Sequence, residues 1–307
     1  MDKEIFEKKL LEETKKYLCD FDVNIVEYCK VNRTVKALEI QSDKSAILPV
    51  FDLNDAYERF CLADSFNEFF NNFKKIIEHS FNQRPDLNME KFFDKSNIIC
   101  QLVNIKMNRE LLEDVPHVKY MDLALIYRAV ADMSDINGIT ASCIITNENM
   151  KKLNLNENEL YENAISNSKE KTAAVIVTMR TMLEEIMDTV IDAPIPGEKE
   201  LYVMTNSNRT YGAAAMIYDA GKIQELADSL EKNLYIIPSS IHEVLLVPDD
   251  GQKPEELNCM INEVNSTVLD KGDILSDHAY FYDRKKMELS KAINENPNLK
   301  RNRRKSK

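Results

Sequence analysis

The chain has 307 residues, 44% of them hydrophobic, and its 52 acidic and 40 basic side chains give a formal charge of −12. That length and apolar content suit one large domain or two modest ones and exclude a disordered chain. The acidic balance opposes broad binding to nucleic acid or anionic membranes, and no run approaches the ~18 apolar residues of a membrane span.

The opening "MDKEIFEKKL" mixes charged and apolar side chains and carries no apolar secretory stretch, so the chain reads as cytoplasmic. Residues 5–18 have the pattern of a helix, with Phe6, Leu10, Leu11 and Leu18 on a broad face. "VNIVEYCKVNRTVKALEIQS" is rich in β-branched residues and broken near Asn32–Arg33, which predicts a hairpin. Ser65 and Glu68 have the spacing of a capping box. Phe66, Phe69, Phe70, Phe73, Ile76 and Ile77 follow at steps of three and four, which predicts a helix with a core-facing aromatic stripe.

"MDLALIYRAV" and "GITASCIITN" predict two strands around a turn at Asn137–Gly138. Asn156 and Glu159 repeat the capping pattern ahead of "LYENAIS". "TMRTMLEEIMDTV" predicts a helix whose methionines serve as core filler. "DAPIPGEKE", with Pro194, Pro196 and Gly197, is the expected domain boundary. Beyond it "LYVMTN", "GAAAMIYD", "LYII", "EVLLVP" and "HAYFYD" read as strands, with "KIQELADSL" and "PEELNCMINEV" as helices. The expected architecture is α+β: a helical and hairpin region over 1–192, a ββαββαβ mixed-sheet module over 200–290, and a basic disordered tail over 291–307.

Glycine and cysteine restrict the chemistry. The 6 glycines are dispersed, so neither GxGxxG nor GxxxxGK[ST] can be written and no phosphate-cradling loop is expected. The 6 cysteines, Cys19, Cys29, Cys61, Cys100, Cys143 and Cys259, include no CxxC pair and no His at ligand spacing. They read as reduced thiols, mostly buried, with no zinc ribbon, no metal and no cofactor expected.

Five segments carry a resemblance: "VPHVKYMDLALIYR", "LNLNENELYENAISNS", "ELYVMTNSNRTYGAAAMIYD", "NLYIIPSSIHEVLLVPDDG" and "MINEVNSTVLDKGDILSDHAYFYDR". Together they resemble an uncharacterised family of anaerobic gut Firmicutes, catalogued as a domain of unknown function and often found among mobile-element genes. The resemblance runs from the first hairpin to Tyr282 and is strongest after Leu201. It implies a bacterial, cytoplasmic, α+β protein and transfers no catalytic residue.

The residues nearest to chemistry lie late in the chain. His242–Glu243 lacks the second His of an HExxH zinc helix, because that position is Leu246. Ser239 and Ser240 precede His242, but no GxSxG elbow supplies a nucleophile turn. "SDH" at Ser276–His278 pairs an acid with an imidazole before the last strand. Strand directions place Asp219, Ser239, Ser240, His242, Asp277 and His278 at one sheet edge, as a pocket or as strand-end caps. The leading expectation is a non-catalytic protein acting through a protein partner. The alternative is a hydrolase-like or metal-assisted enzyme using His242, Glu243, Asp277, His278 and Ser240. Nucleic acid enters only through the tail "KRNRRKSK", and no membrane partner is expected.

Overall fold

The structure is a computed structural model that describes residues 1–41, 49–82, 88–131, 141–190 and 201–292. The expected turn at 137–138, the expected boundary at 192–200 and residues 293–307 of the expected 291–307 tail lie outside these residues, whereas Lys291 ends a strand and Ala292 is buried. The chain forms two compact units, 1–92 and 93–307.

The first unit packs helices α1 (Lys3–Tyr17), α2 (Leu53–Cys61), α3 (Phe66–Asn82) and α4 (Met89–Phe92) with a sheet of β1 (Asp22–Lys30), β2 (Arg33–Gln41) and β3 (Val50–Asp52). The expected hairpin forms with Lys30 opposite Arg33, and Asn32 takes the left-handed conformation that its short polar side chain tolerates. The cap of α3 is shifted from the expected box. Ser65 Oγ accepts from the Glu68 N–H at 3.2 Å, while the Glu68 carboxylate accepts from Asp64 N–H at 3.0 Å. Phe66, Phe69, Phe70, Phe73 and Ile77 are buried together with Phe6, Leu10 and Leu38, so the aromatic stripe is core.

The second unit begins with β4 (Ile98–Asn104), α5 (Arg109–Asp114), β5 (Val118–Tyr120), β6 (Leu123–Ala131) and β7 (Ala141–Ile144). These strands form one antiparallel sheet in which β6 is flanked by β4 on one side and by β5 and β7 on the other. Next come α6 (Asn147–Lys152) and α7 (Glu157–Lys171), which lies along the outer edge of β4. There Ser168 Oγ accepts the buried Cys100 N–H at 2.9 Å, and Asn167 donates to the Ile98 carbonyl. At these two positions side chains satisfy an edge that no strand covers among the described residues.

The remaining elements are β8 (Ala174–Thr178), α8 (Met179–Met187), β9 (Tyr202–Asn206), α9 (Ala215–Tyr218), α10 (Gly221–Leu230), β10 (Leu234–Pro238), β11 (Val244–Pro248), α11 (Pro254–Thr267), β12 (Tyr280–Asp283) and β13 (Glu288–Lys291). Their strands make a six-stranded sheet in the order β13-β12-β10-β11-β9-β8. Every neighbouring pair is antiparallel, which corrects the expected mixed sheet. Each helical crossover does join parallel strands, β9 to β10 and β11 to β12. Each crossover also skips one place, and the other crossover's strand fills the gap.

Three further expectations change. "GAAAMIYD" is a 3-10 turn at Gly212–Ala214 followed by α9, not a strand; its run of alanines favours helix, and small buried side chains let the turn pack closely. Asp219 therefore closes a short helix rather than a strand. Helix α8 forms, but none of its residues is buried, so its methionines do not fill a core. Cys100 alone of the cysteines is buried. Across the expected boundary, β8 and β9 pair over Ala174–Thr178 and Tyr202–Asn206 within one sheet, whereas the compact units divide at Phe92–Phe93.

Candidate functional site

One end of the six-stranded sheet collects the chemistry-bearing residues. Val244 lies opposite both Pro238 and Met204, and Tyr280 lies opposite Ile236. The end of β9, the turn between β10 and β11, and the start of β12 are therefore neighbours. Ser240, His242 and Glu243 occupy that turn. Ser240 Oγ accepts the His242 N–H at 3.0 Å, and Ser240 N–H donates to the Glu243 carbonyl at 3.1 Å. Ser239 Oγ donates to the Glu243 carboxylate at 3.4 Å. The His242 imidazole faces the loop that follows β9. Its Nδ1 accepts the Tyr211 N–H at 3.1 Å, its Nε2 lies 3.5 Å from Asp273 Oδ1, and its ring stacks on Tyr211 with centroids 5.7 Å apart.

That loop is tightly built. Asn206, almost fully buried, donates to the Thr210 carbonyl and accepts from the backbone N–H groups of Asn208 and Thr210. Arg209 and Tyr211 both have positive φ, at 52° and 58°, a conformation that costs non-glycine residues energy and persists where surroundings enforce it. Tyr211 Oη meets Ser142 Oγ at 3.2 Å, and its ring covers the Arg128 guanidinium at 4.7 Å.

His278 has a different set of partners. Its Nδ1 lies 2.8 Å from Asp277 Oδ1 and 3.2 Å from Ser276 Oγ. Its Nε2 lies 3.4 Å from Asp122 Oδ1, within ion-pair range but without hydrogen-bond geometry. Asp122 also accepts from Ser276 Oγ and Tyr280 Oη, each at 3.2 Å, and pairs with Lys291 at 3.2 Å. The cluster ties the β5–β6 turn to β12 and β13. His242 and His278 thus stand at the same end of one sheet, each with its own ring of partners. His117 Nδ1 meets the Val115 carbonyl at 3.0 Å, and the ring has no part in either cluster. Among the described residues no group of three or more His, Cys, Asp or Glu has the geometry to hold a metal ion.

A model of a family of unknown function, DUF5688, matches residues 3–284. The chain belongs to DUF5688. No curated protein and no solved structure matches it.

In this DUF5688 chain, the acid–imidazole cluster makes stability depend on pH. Burial works to raise the Asp122 pKa, but His278 and Lys291 outweigh it and hold the carboxyl well below the usual range. The neighbouring Asp122 carboxylate raises the His278 pKa above 6.5, burial opposes the rise, and Asp277 adds to it. The charged imidazole therefore stabilises the fold fully below its unfolded value, and this contribution fades as pH rises through the raised folded value. The Asp122 contribution is present above its unfolded value and is lost only as pH falls through the depressed folded one. Urea denaturation of wild type and His278→Gln from about pH 5 to about pH 9, a range spanning the ordinary histidine value, should show the wild-type advantage shrinking toward alkaline pH. A constant difference would mean that the ion pair contributes nothing.

The DUF5688 chain also holds polar residues that pattern reading passed over. Gln101 is fully buried within the apolar strand "IICQLVN", and Arg128 interrupts the apolar run of "LALIYRAV". Arg128 Nη1 donates to Gln101 Oε1 at 3.1 Å and Nη2 to Ser142 Oγ at 2.9 Å. The detectable signal was a single polar residue in each of two strands that otherwise read as core.

Proposed function

We propose that this DUF5688 member is a bacterial cytoplasmic protein that acts by binding a protein partner rather than by catalysis. The observation that carries the reading is an apolar stripe along α11 and its C-terminal cap, Val268. Met260, Val264 and Val268 recur at steps of four and are 59%, 41% and 74% exposed. Met260 and Val264 border a hollow of about 140 Å³ over Ile237, Pro238 and Leu245. Leu257 and Ile261 hold the same helix to the sheet, and Ile261 lines the same hollow, so the exposed stripe is the open flank of the apolar face of α11, uncovered among the described residues. A stripe beside a side-chain-sized hollow suits an anchoring residue of a partner. Leu183, Ile186 and Met187 on α8 add further exposed apolar surface. Among the described residues, no helix is long and apolar enough to cross a membrane.

The test is affinity capture from the native host with mass spectrometry, comparing wild type with a Met260→Glu/Val264→Lys variant and a chain ending at Leu299. A protein retained by wild type and by the shortened chain, but lost with the double variant, supports the reading. Equal retention by the double variant sinks it. Nucleic acid that co-purifies only with the intact tail and leaves with salt would support tail-mediated binding instead. The enzyme alternative, a hydrolase-like or metal-assisted site using His242 and His278, draws support from the placement of His278 between Asp122 and Asp277. The separate partner sets of the two imidazoles favour partner binding over it.

A further inference from the structure

A second site lies in the same unit, on the face of the four-stranded sheet that carries Arg128. Opposed residues of paired strands share a face, and so do alternate residues along one strand. Ile99 lies opposite Arg128, and Val130 lies opposite Ser142. Ile99, Gln101, Arg128, Val130 and Ser142 therefore stand on one face. A cavity of about 610 Å³ opens over it, with Ile99 and Val130 among its walls. That volume falls within the usual span of small-molecule sites, roughly 300–1,000 Å³.

The charge pattern around this cavity is one-sided. Among the described residues its lining contains Lys171, which donates to Asn97 Oδ1 at 3.1 Å, with Asn208, Thr210 and Tyr211, and no carboxylate. Behind Tyr211 lies the Arg128 guanidinium, whose hydrogen-bond partners, Gln101 Oε1 and Ser142 Oγ, are both neutral. Among the described residues no carboxylate pairs with it. Its Nε is buried without a hydrogen-bond partner, and so is Nε2 of the fully buried Gln101. Burial also pushes the Arg128 pKa down, and Tyr211 and Cys143 act against that shift. Proteins rarely leave two neighbouring buried donors unmatched, one of them on a cation, because each unmade bond costs its full desolvation. Guanidinium donors suit oxyanions above other groups.

The wall that separates Arg128 from the cavity is held in place. Tyr211 sits in a left-handed backbone conformation, with its ring between Arg128 and His242 and its hydroxyl on Ser142. Strain of this kind persists where the surroundings over-determine it, and it gathers at ligand clamps. The other cavity walls differ in kind: Ile99, Val130 and Ala131 are apolar, whereas Lys171 and Thr210 are polar.

We propose that this cavity binds a small molecule with an oxyanion head, a phosphate or a carboxylate, and a partly apolar body. Lys171 and the Asn208 side chain receive the head, with Arg128 supplying positive charge from behind Tyr211. Ile99 and Val130 receive the body.

The probes are inorganic phosphate and malonate, each compared with chloride at matched ionic strength and read by thermal shift and calorimetry on the full chain. Wild type is expected to show a saturable rise in Tm with at least one oxyanion and none with chloride. Tighter binding of phosphate assigns a phosphate ester, and tighter binding of malonate assigns a carboxylic acid. Lys171→Met, at an exposed position, should weaken the apparent affinity about tenfold while leaving Tm in chloride unchanged, the loss of one charge-assisted contact. Arg128→Gln should abolish the saturable shift. If that variant does not fold, Lys171→Met decides alone. The proposal is overturned if neither oxyanion acts beyond chloride, or if Lys171→Met responds as wild type does.

Discussion

Gly212→Ala is expected to destabilise the second unit by about 3 kcal/mol or more, the upper end of what overpacking costs in a rigid interior. A Cβ at Gly212 would lie 2.3 Å from Thr205 Oγ1, 2.5 Å from the His242 carbonyl oxygen and 2.7 Å from the Asn206 nitrogen. Two of these three atoms are backbone, and Thr205 Oγ1 is itself engaged with His242 O at 2.8 Å. No rotamer change relieves the clash. The end of β9 would have to part from the β10–β11 turn, and Tyr211 would lose its seat on His242. Gly221, the first residue of α10, has no atom within 4 Å of the corresponding position and provides the control. Chemical denaturation should show a large loss for Gly212→Ala and almost none for Gly221→Ala. Equal midpoints for the two variants would show that the close approach is not maintained in solution.

Phe69→Ala should cost the first unit ~3–5 kcal/mol, the range for truncating a buried phenylalanine to alanine. Phe69 is 4% exposed, and the rings of Phe6, Phe60, Phe66 and Phe73 lie with centroids 5.2 to 6.0 Å from its own. Four rings anchored on three helices cannot close over the space without moving the helices, so most of the cavity persists. A measured loss under ~1 kcal/mol would mean that the cluster repacks around the gap and that its geometry is not rigid.

Much of the first unit was legible because its signals are local. The stripe from Phe66 to Ile77 repeats over more than three turns, and the hairpin break at Asn32–Arg33 combines β-branched runs with a residue suited to positive φ. The common sheet end of His242 and His278 was legible from the β10–β11 turn and the α11 crossover. The expected strand at "GAAAMIYD" reversed β9, however, so the arrival of the Tyr211 loop at that end was not. The misreadings arose where tertiary context overrode pattern. "GAAAMIYD" carries too little side-chain information to distinguish a buried strand from a buried helix, and its packing against Thr205 and His242 decided the outcome. Helix α8 has the right period, but periodicity gives no indication of whether the chain itself covers an apolar face. Arg128 and Gln101 come together through strand register and lie 27 positions apart, a pairing that linear spacing cannot reveal.

The skipped places in the six-stranded sheet bear on how the chain is made. During synthesis β9 emerges first and β10 some thirty residues later, yet the two share no hydrogen bonds, because β11 belongs between them. Until β11 leaves the ribosome, the inner edge of β9 and the facing edge of β10 both stay open. β10 then keeps its other edge unpaired until β12 arrives after α11. Neither crossover unit can close a sheet alone, so nascent chains stopped within α11 should be captured by chaperones and cut by protease, whereas those extended through β13 should resist. The interleaving makes assembly of this sheet an event of late synthesis, dependent on pairings distant in sequence and slow to form.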